Sequence, residues 1–179
     1  MKRILLPLLL CLVAVPLSAQ QPLLSPRDST EVIIAGKRIK IDYGRPSMRG
    51  RKIMGELVPY NRWWRTGANE ATGFVTEADL EIAGVLVPKG SYTLYTLPSE
   101  TEWKLIINKQ TGQWGTVYNP ELDLARIPMK LQKLRRPLEK LTITLRKGKN
   151  NSGTLTIAWE RTSVSVPFKV KNNSNSSMQ

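Results

Sequence analysis

Leu141-Thr142-Ile143-Thr144-Leu145 and Leu155-Thr156-Ile157-Ala158-Trp159 carry an apolar side chain at every second position, and the polar stretch Lys147 to Gly153 lies between them. Successive side chains of a strand point to opposite faces, so this alternation buries one face of an antiparallel pair and wets the other. A linker of Gly, Asn and Lys between two such runs predicts a hairpin. The same period extends outward in both directions. Ile39, Ile41 and Tyr43 alternate with Arg38, Lys40 and Asp42. Tyr92, Leu94 and Thr96 oppose Ser91, Thr93 and Tyr95; Trp103, Leu105 and Ile107 form another one-sided set; Val164, Val166 and Phe168 close the series.

Turn residues separate the runs. Ala35-Gly36-Lys37 predicts one hairpin, Pro88-Lys89-Gly90 a second, and Arg161-Thr162 a turn between the last two strands. Only Arg51 to Leu57, read as a short helix, and Pro120 to Arg126, read as a helical turn or extended loop, break the pattern. Pro128 and Pro137 remove ladder donors, so the stretch between them is expected at an edge or in a connection. Short strands at regular intervals with Gly and Pro between them predict an all-β, antiparallel β-sandwich, Ig-like or jelly-roll-like, with one long ordered loop and at most short helices.

The ends read differently. Lys2-Arg3, an apolar run from Ile4 to Leu17 and the small pair Ser18-Ala19 follow the three-part layout of a cleavable signal peptide over residues 1–19. The run is too short to span a bilayer, and no later segment approaches that length, so no integral membrane segment is expected after cleavage. Cys11 lies mid-run behind Leu9-Leu10, which does not fit a lipid attachment site. The domain is placed over residues 25–170, and the polar tail 171–179 lacks core residues and is expected to be disordered. The expected location is the periplasm or the extracellular space.

Cleavage after Ala19 leaves 179 − 19 = 160 residues, with 27 − 2 = 25 basic against 14 acidic side chains, a net +11. Histidine is absent from the chain, and its one cysteine, Cys11, leaves with the signal. Zinc or copper sites built on His or Cys are therefore excluded, as are nucleophile–histidine dyads and triads. No metal site and no cofactor are expected. The positive charge attracts anionic polymers without selectivity, so a polysaccharide or other anionic envelope component is the expected partner, and no specific nucleic acid. Gly44 to Lys52 lacks the Gly-x4-Gly-Lys-Ser/Thr spacing of a phosphate loop.

Residues 44–70 do not read as scaffold. This connection of some 27 residues exceeds the roughly 15 above which loops are functional or disordered, and Ile53, Leu57, Tyr60, Trp63 and Trp64 argue for order. An ordered loop rich in arginines and aromatics is where a β scaffold carries a site. Here Tyr43-x-Arg45-Pro46, Gly50-Arg51-Lys52-Ile53-x-Gly55, Leu57-Val58-Pro59-Tyr60 and Trp64-Arg65-Thr66-Gly67-Ala68-Asn69-Glu70 resemble the bacterial family catalogued as domain of unknown function 2911. Pro88-x-Gly90-x-Tyr92, Trp103 to Lys109, Trp114-Gly115 and Trp159 to Pro167 extend the resemblance from about Ser25 to Phe168. It implies kinship and no particular activity.

Arg65, Asn69 and Glu70 form the polar cluster of the loop. In a functional reading Glu70 is the catalytic candidate, an acid, base or acceptor, with Arg65 and Asn69 orienting a polar ligand. In a structural reading Arg65 and Glu70 pair to pin the loop, Gly67 supplies a turn and Asn69 caps it; this second reading is favoured. Glycoside hydrolysis would require a second carboxylate facing Glu70, for which Asp42, Glu56 and Glu77 are available. Further ligand-binding candidates are Arg45 and Lys52 in the basic run, Trp64, Asn108 and Trp114. Trp103 and Trp159 belong on apolar faces and read as core. Trp63 and Trp64, being neighbours, should point to opposite sides, and Trp114 is the best exposed aromatic candidate. The expected function is that of an exported, non-catalytic binding or envelope-associated module recognising a glycan, an anionic polymer or a protein partner; a hydrolase using Glu70 with Arg65 and Asn69 is the alternative.

Overall fold

Strands β1 (Arg27–Ile34) and β2 (Lys37–Gly44) form the hairpin expected around Ala35-Gly36. Both turn residues take positive φ (51° and 73°), the geometry that matches the right-handed twist of the flanking strands. The computed structural model describes residues 24–171, and the signal-peptide reading and all but the first residue of the polar tail lie outside them. Lys171 itself still belongs to the body, its N–H donating to the Asp79 carbonyl at 2.8 Å.

Seven more strands follow: β3 (Thr72–Thr76), β4 (Leu80–Ile82), β5 (Val85–Val87), β6 (Gly90–Pro98), β7 (Trp103–Asn108), β8 (Asp123–Lys147) and β9 (Ser152–Val170). All neighbours are antiparallel, in the order β1-β2-β3-β6-β7-β8-β9-β4-β5. Strand β8 belongs to two ladders. Asp123 to Met129 pair with β7, and from Lys130 onward the partner is β9. The sheet thereby doubles over. Ile143 N–H donates to the Tyr43 hydroxyl at 3.1 Å and Leu145 N–H to Thr30 Oγ1 at 3.2 Å, tying the far half of β8 to the first hairpin. One core results, in which Ile41, Phe74, Leu94 and Leu105 of the first layer meet Ile143, Ile157, Trp159 and Val166 of the second. Full burial of each such side chain contributes about 1.5–3 kcal/mol. The all-β antiparallel architecture read from the alternation is the one observed.

Several local expectations are corrected. Arg161-Thr162 makes no turn: β9 continues through it, and Glu160, with φ 54°, instead forms an irregularity opposite Leu138. A bulge of this kind bends a strand without ending it. Pro88-Lys89 closes no hairpin; it carries the chain from β5, paired with β4, to β6, paired with β3 and β7. The hairpin lies earlier, at Ala83-Gly84, again with two positive φ values (47° and 86°). Arg51 to Leu57 is not helical but a set of turns in which Met54 bridges Val58. Pro128 and Pro137 both fall inside β8, where it leaves β7 and passes to β9, so the connection lies within one continuous strand. Pro120–Leu122 is a single 3-10 turn, its first turn capped by Asn119 Oδ1, which accepts from Glu121 N–H at 3.0 Å.

The outer faces of β6 and β7 are also covered. Tyr95 and Ile106, expected on the wet side, are buried. Residues 109–122 and the 44–70 loop lie over them, and the Tyr95 hydroxyl donates to the Val117 carbonyl at 2.6 Å.

Candidate functional site

The 44–70 loop is ordered because both of its ends are bolted to the sheets. At its start, Met48 N–H donates to the Glu139 carbonyl at 2.8 Å and Leu141 N–H to the Pro46 carbonyl at 2.9 Å. The Glu160 carboxylate, brought inward by its left-handed backbone, accepts from Ile53 N–H at 3.3 Å and Met54 N–H at 3.1 Å. Further on, Trp64 exchanges two backbone hydrogen bonds with Thr96, at 2.7 and 2.9 Å, and so adds a rung to β6 beyond the reach of β3. Thr66 and Thr72 are fully buried beneath it, the Thr72 hydroxyl lying 3.2 and 3.1 Å from the Arg65 and Thr66 carbonyls.

Under this loop lies a cleft of about 500 Å³, within the range of small-ligand sites. Trp63, Trp64 and Trp159 supply aromatic surface, Arg51 and Arg65 positive charge, and Ser25, Asn69 and Thr116 neutral polar groups. Trp64 stacks on Trp159, with centroids 6.0 Å apart and planes 17° from parallel, and meets Trp103 edge-on at 6.5 Å. Trp63, 39% exposed, rests on Tyr118 (4.8 Å) and Tyr95 (5.6 Å). The two tryptophans thus divide as neighbours on an extended chain should: Trp64 toward the core, Trp63 outward.

Arg65 and Glu70 form no pair. Arg65 Nε donates to the Gly67 carbonyl at 3.2 Å, and its aliphatic stem passes over Gly115, where an added Cβ would come within 2.7 Å of Arg65 Cδ. Glu70 points away, its side chain 57% exposed, and its carboxylate lies 3.7 Å from Arg27 Nη1. Arg27 also pairs with Asp42. Asp42 and Glu70, one of the carboxylate combinations open to a glycosidase, do therefore line a common hollow of about 300 Å³, with Arg27 as partner to both. That hollow does not include Arg65 or Asn69. Gly67 is required for close approach rather than for a turn, since a Cβ there would meet Thr72 Oγ1 at 2.8 Å. Within residues 65–70 the left-handed positions are Thr66 (φ 56°) and Asn69 (φ 62°), and Asn69 Nδ2 donates to the Ser25 carbonyl at 3.3 Å.

The remaining candidates scatter. Arg45 is held by Asp28 at 3.2 Å, the Leu141 carbonyl and Thr142, and serves to join β1 to β8. Lys52 faces outward and pairs with Glu56 at 3.4 Å. Asn108 is fully buried and saturated: its amide donates to Asn119 O and Asp123 Oδ1, both at 2.8 Å, and its carbonyl accepts from Gln110 N–H. It pins the 109–122 segment and is closed to a ligand. Trp114 is 51% exposed, as expected, but bridges Glu70 outside the cleft, to which Gly115 and Thr116 contribute instead. Of the eight candidates, Trp64, Arg65 and Asn69 come together.

Arg27, Arg51 and Trp63 are not among the candidates that the sequence singles out, yet they line these hollows. For Arg27 a signal existed. Counting back from the Ala35-Gly36 turn puts Arg27 opposite Gly44 and diagonal to Asp42, within reach of a long side chain. Arg51 belongs to the same basic run as Arg45 and Lys52, and nothing in its spacing sets it apart from them.

A second hollow adjoins the first across Trp63. Its walls include Arg62, Trp63 and Tyr118, with Leu97, Ile106 and Arg126 from the outer faces of β6, β7 and β8. Burial pushes the Tyr118 hydroxyl up to about 12, helped by its hydrogen bond to Asp123 at 2.7 Å, so it stays a neutral donor. Arg126 closes the triangle, with Nε 2.8 Å from Asp123 Oδ2 and Nη2 3.0 Å from the Tyr118 oxygen. Among the described residues no group of three or more His, Cys, Asp or Glu is placed to hold a metal ion, and no helix is long and apolar enough to cross a membrane.

No curated protein and no solved structure matches the chain. The family described as "Protein of unknown function (DUF2911)" matches residues 25–168, from the edge of the cleft at Ser25 to the last core strand. The chain belongs to the DUF2911 family.

Proposed function

We propose that this protein is an exported, non-catalytic binding module whose cleft under the 44–70 loop holds an acidic sugar. The observation that carries the reading is the composition of the cleft wall. Indole surface, the guanidinium groups of Arg51 and Arg65, and the polar groups of Ser25, Asn69 and Thr116 converge there, with no carboxylate among them. An indole face accommodates the apolar face of a pyranose, and a guanidinium matches a carboxylate with two parallel donors. Neither Arg51 nor Arg65 is neutralised by a protein acid: both donate to backbone carbonyls. Glycoside hydrolysis in most families uses two carboxyl groups flanking the scissile bond, and Glu70 opens onto another hollow. Export is supported by the charged start, the short apolar run and Ser18-Ala19.

Titration of the purified protein with digalacturonate and with cellobiose, followed by tryptophan fluorescence, tests the binding reading. The acidic disaccharide should give a saturable change that Arg65→Gln weakens, and cellobiose a weaker one. Absence of a saturable change with acidic sugars would overturn it. Mass spectrometry of the protein from the envelope fraction should find a chain beginning at or near Gln20; an intact Met1 would overturn export.

A further inference from the structure

We infer that the ligand is a polymer, an acidic polysaccharide chain that runs from the cleft across Trp63 into the second hollow, so that the two form one continuous groove. This rests on the proposed function of the first cleft and extends it to a second subsite. Trp63 lines both hollows. Its ring, backed by Tyr118 and Tyr95, forms a fixed platform between them. The second hollow, at about 720 Å³, is also large enough for a ligand segment.

Charge follows the same line. Arg51 and Arg65 border the first hollow, and Arg62 the second. None of the three lies within 4 Å of a carboxylate among the described residues, whereas Arg27, Arg38, Arg45 and Arg126 all have acidic partners. Uncompensated guanidinium groups on both sides of one aromatic platform match a chain that repeats a carboxylate and an apolar ring face. A single acidic sugar would use one side only. Single-stranded nucleic acid would prefer a series of aromatic platforms for successive bases, whereas Trp64 and Trp159 lie against the core and Trp63 is the one tryptophan of the groove that is well exposed.

The test compares digalacturonate with longer oligogalacturonates on the full-length protein after purification, and the wild type with Arg62→Ala. Arg62 is exposed and holds no other group, so its removal leaves the fold intact. Linking two subsites should make the longer oligomers bind about tenfold or more tighter than the disaccharide. Arg62→Ala should abolish most of that gain and leave disaccharide affinity unchanged. Affinity independent of length, or a length gain untouched by Arg62→Ala, would overturn the continuous groove while the disaccharide site stands. Failure of every acidic sugar would remove both readings. Equal binding of neutral oligomers, or tighter binding of single-stranded DNA, would overturn the choice of an acidic polysaccharide.

Discussion

Trp64 lies over Trp159, ring on ring, and this contact joins the long loop to the centre of the core. The indole of Trp159 is itself fixed, its N–H donating to the Glu139 carbonyl at 3.1 Å. The floor of the cleft is therefore part of the core, and the loop carries its roof. Trp64→Ala should lower stability by about 3 kcal/mol, as for other large-to-small core substitutions. Trp63→Ala, on the exposed side, should cost about 1 kcal/mol. Urea unfolding of both variants checks the ranking; equal losses would mean that the loop does not depend on the stack.

Arg27 rather than Arg65 is the partner of Glu70, and a double-mutant cycle separates the two. Glu70→Gln should change stability by less than about 1 kcal/mol, because the pair is solvent-exposed. Coupling should be detectable between Arg27→Met and Glu70→Gln. The effects of Arg65→Met and Glu70→Gln should add to within about 0.5 kcal/mol.

Gly44 ends β2 against the backbone of the loop. A Cβ there would lie 2.0 Å from the Ala68 carbonyl oxygen, and neither partner is a side chain that can swing aside. Gly44→Ala should destabilise by about 3 kcal/mol or more. Gly50 is the control: its φ is +73° and nothing lies within 4 Å of its added Cβ. Gly50→Ala carries only the left-handed backbone penalty, about 1 kcal/mol. Chemical unfolding of the two variants should reproduce that order.

Alkaline pH should unfold the protein through its tyrosines. Burial raises Tyr43, Tyr92 and Tyr95, and raises Tyr118 to about 12. Near and above pH 10 the unfolded chain releases phenolic protons that the folded chain retains. Stability is then complete below pH 10 and falls as pH rises from about 10 toward 12. Phenolate absorbance should titrate late in the folded protein, and Tyr118→Phe should remove the last phase. An unchanged final phase would place it on another tyrosine.

Alternation of period two made the fold class legible, because each strand with one face in the core repeats an apolar residue at every second position. It failed where tertiary structure covers the other face. Tyr95 and Ile106 are buried by residues 109–122 and the long loop, and no local pattern announces that cover. Turn residues were ambiguous for a related reason. Glu160 takes a left-handed backbone inside a strand to aim its carboxylate at the Ile53 and Met54 amides, more than a hundred residues away in sequence. The order of residues 44–70, which cover a cleft of about 500 Å³, was readable from their aromatic side chains. Their internal pairing was not: Arg65 and Glu70 are close in sequence, and the partner of Glu70 comes from the first strand.

Strand β8 serves the first ladder with one end and the second with the other, and no flexible linker intervenes between its two halves. Neither layer can come away while the other stays intact, because releasing one pulls on the same backbone that completes its counterpart. Unfolding should accordingly be a single cooperative event, with one transition midpoint for tryptophan fluorescence and for backbone circular dichroism. The cleft, whose floor is Trp159 of β9 and whose roof is hung from β6 and β8, would vanish at that same midpoint rather than before it.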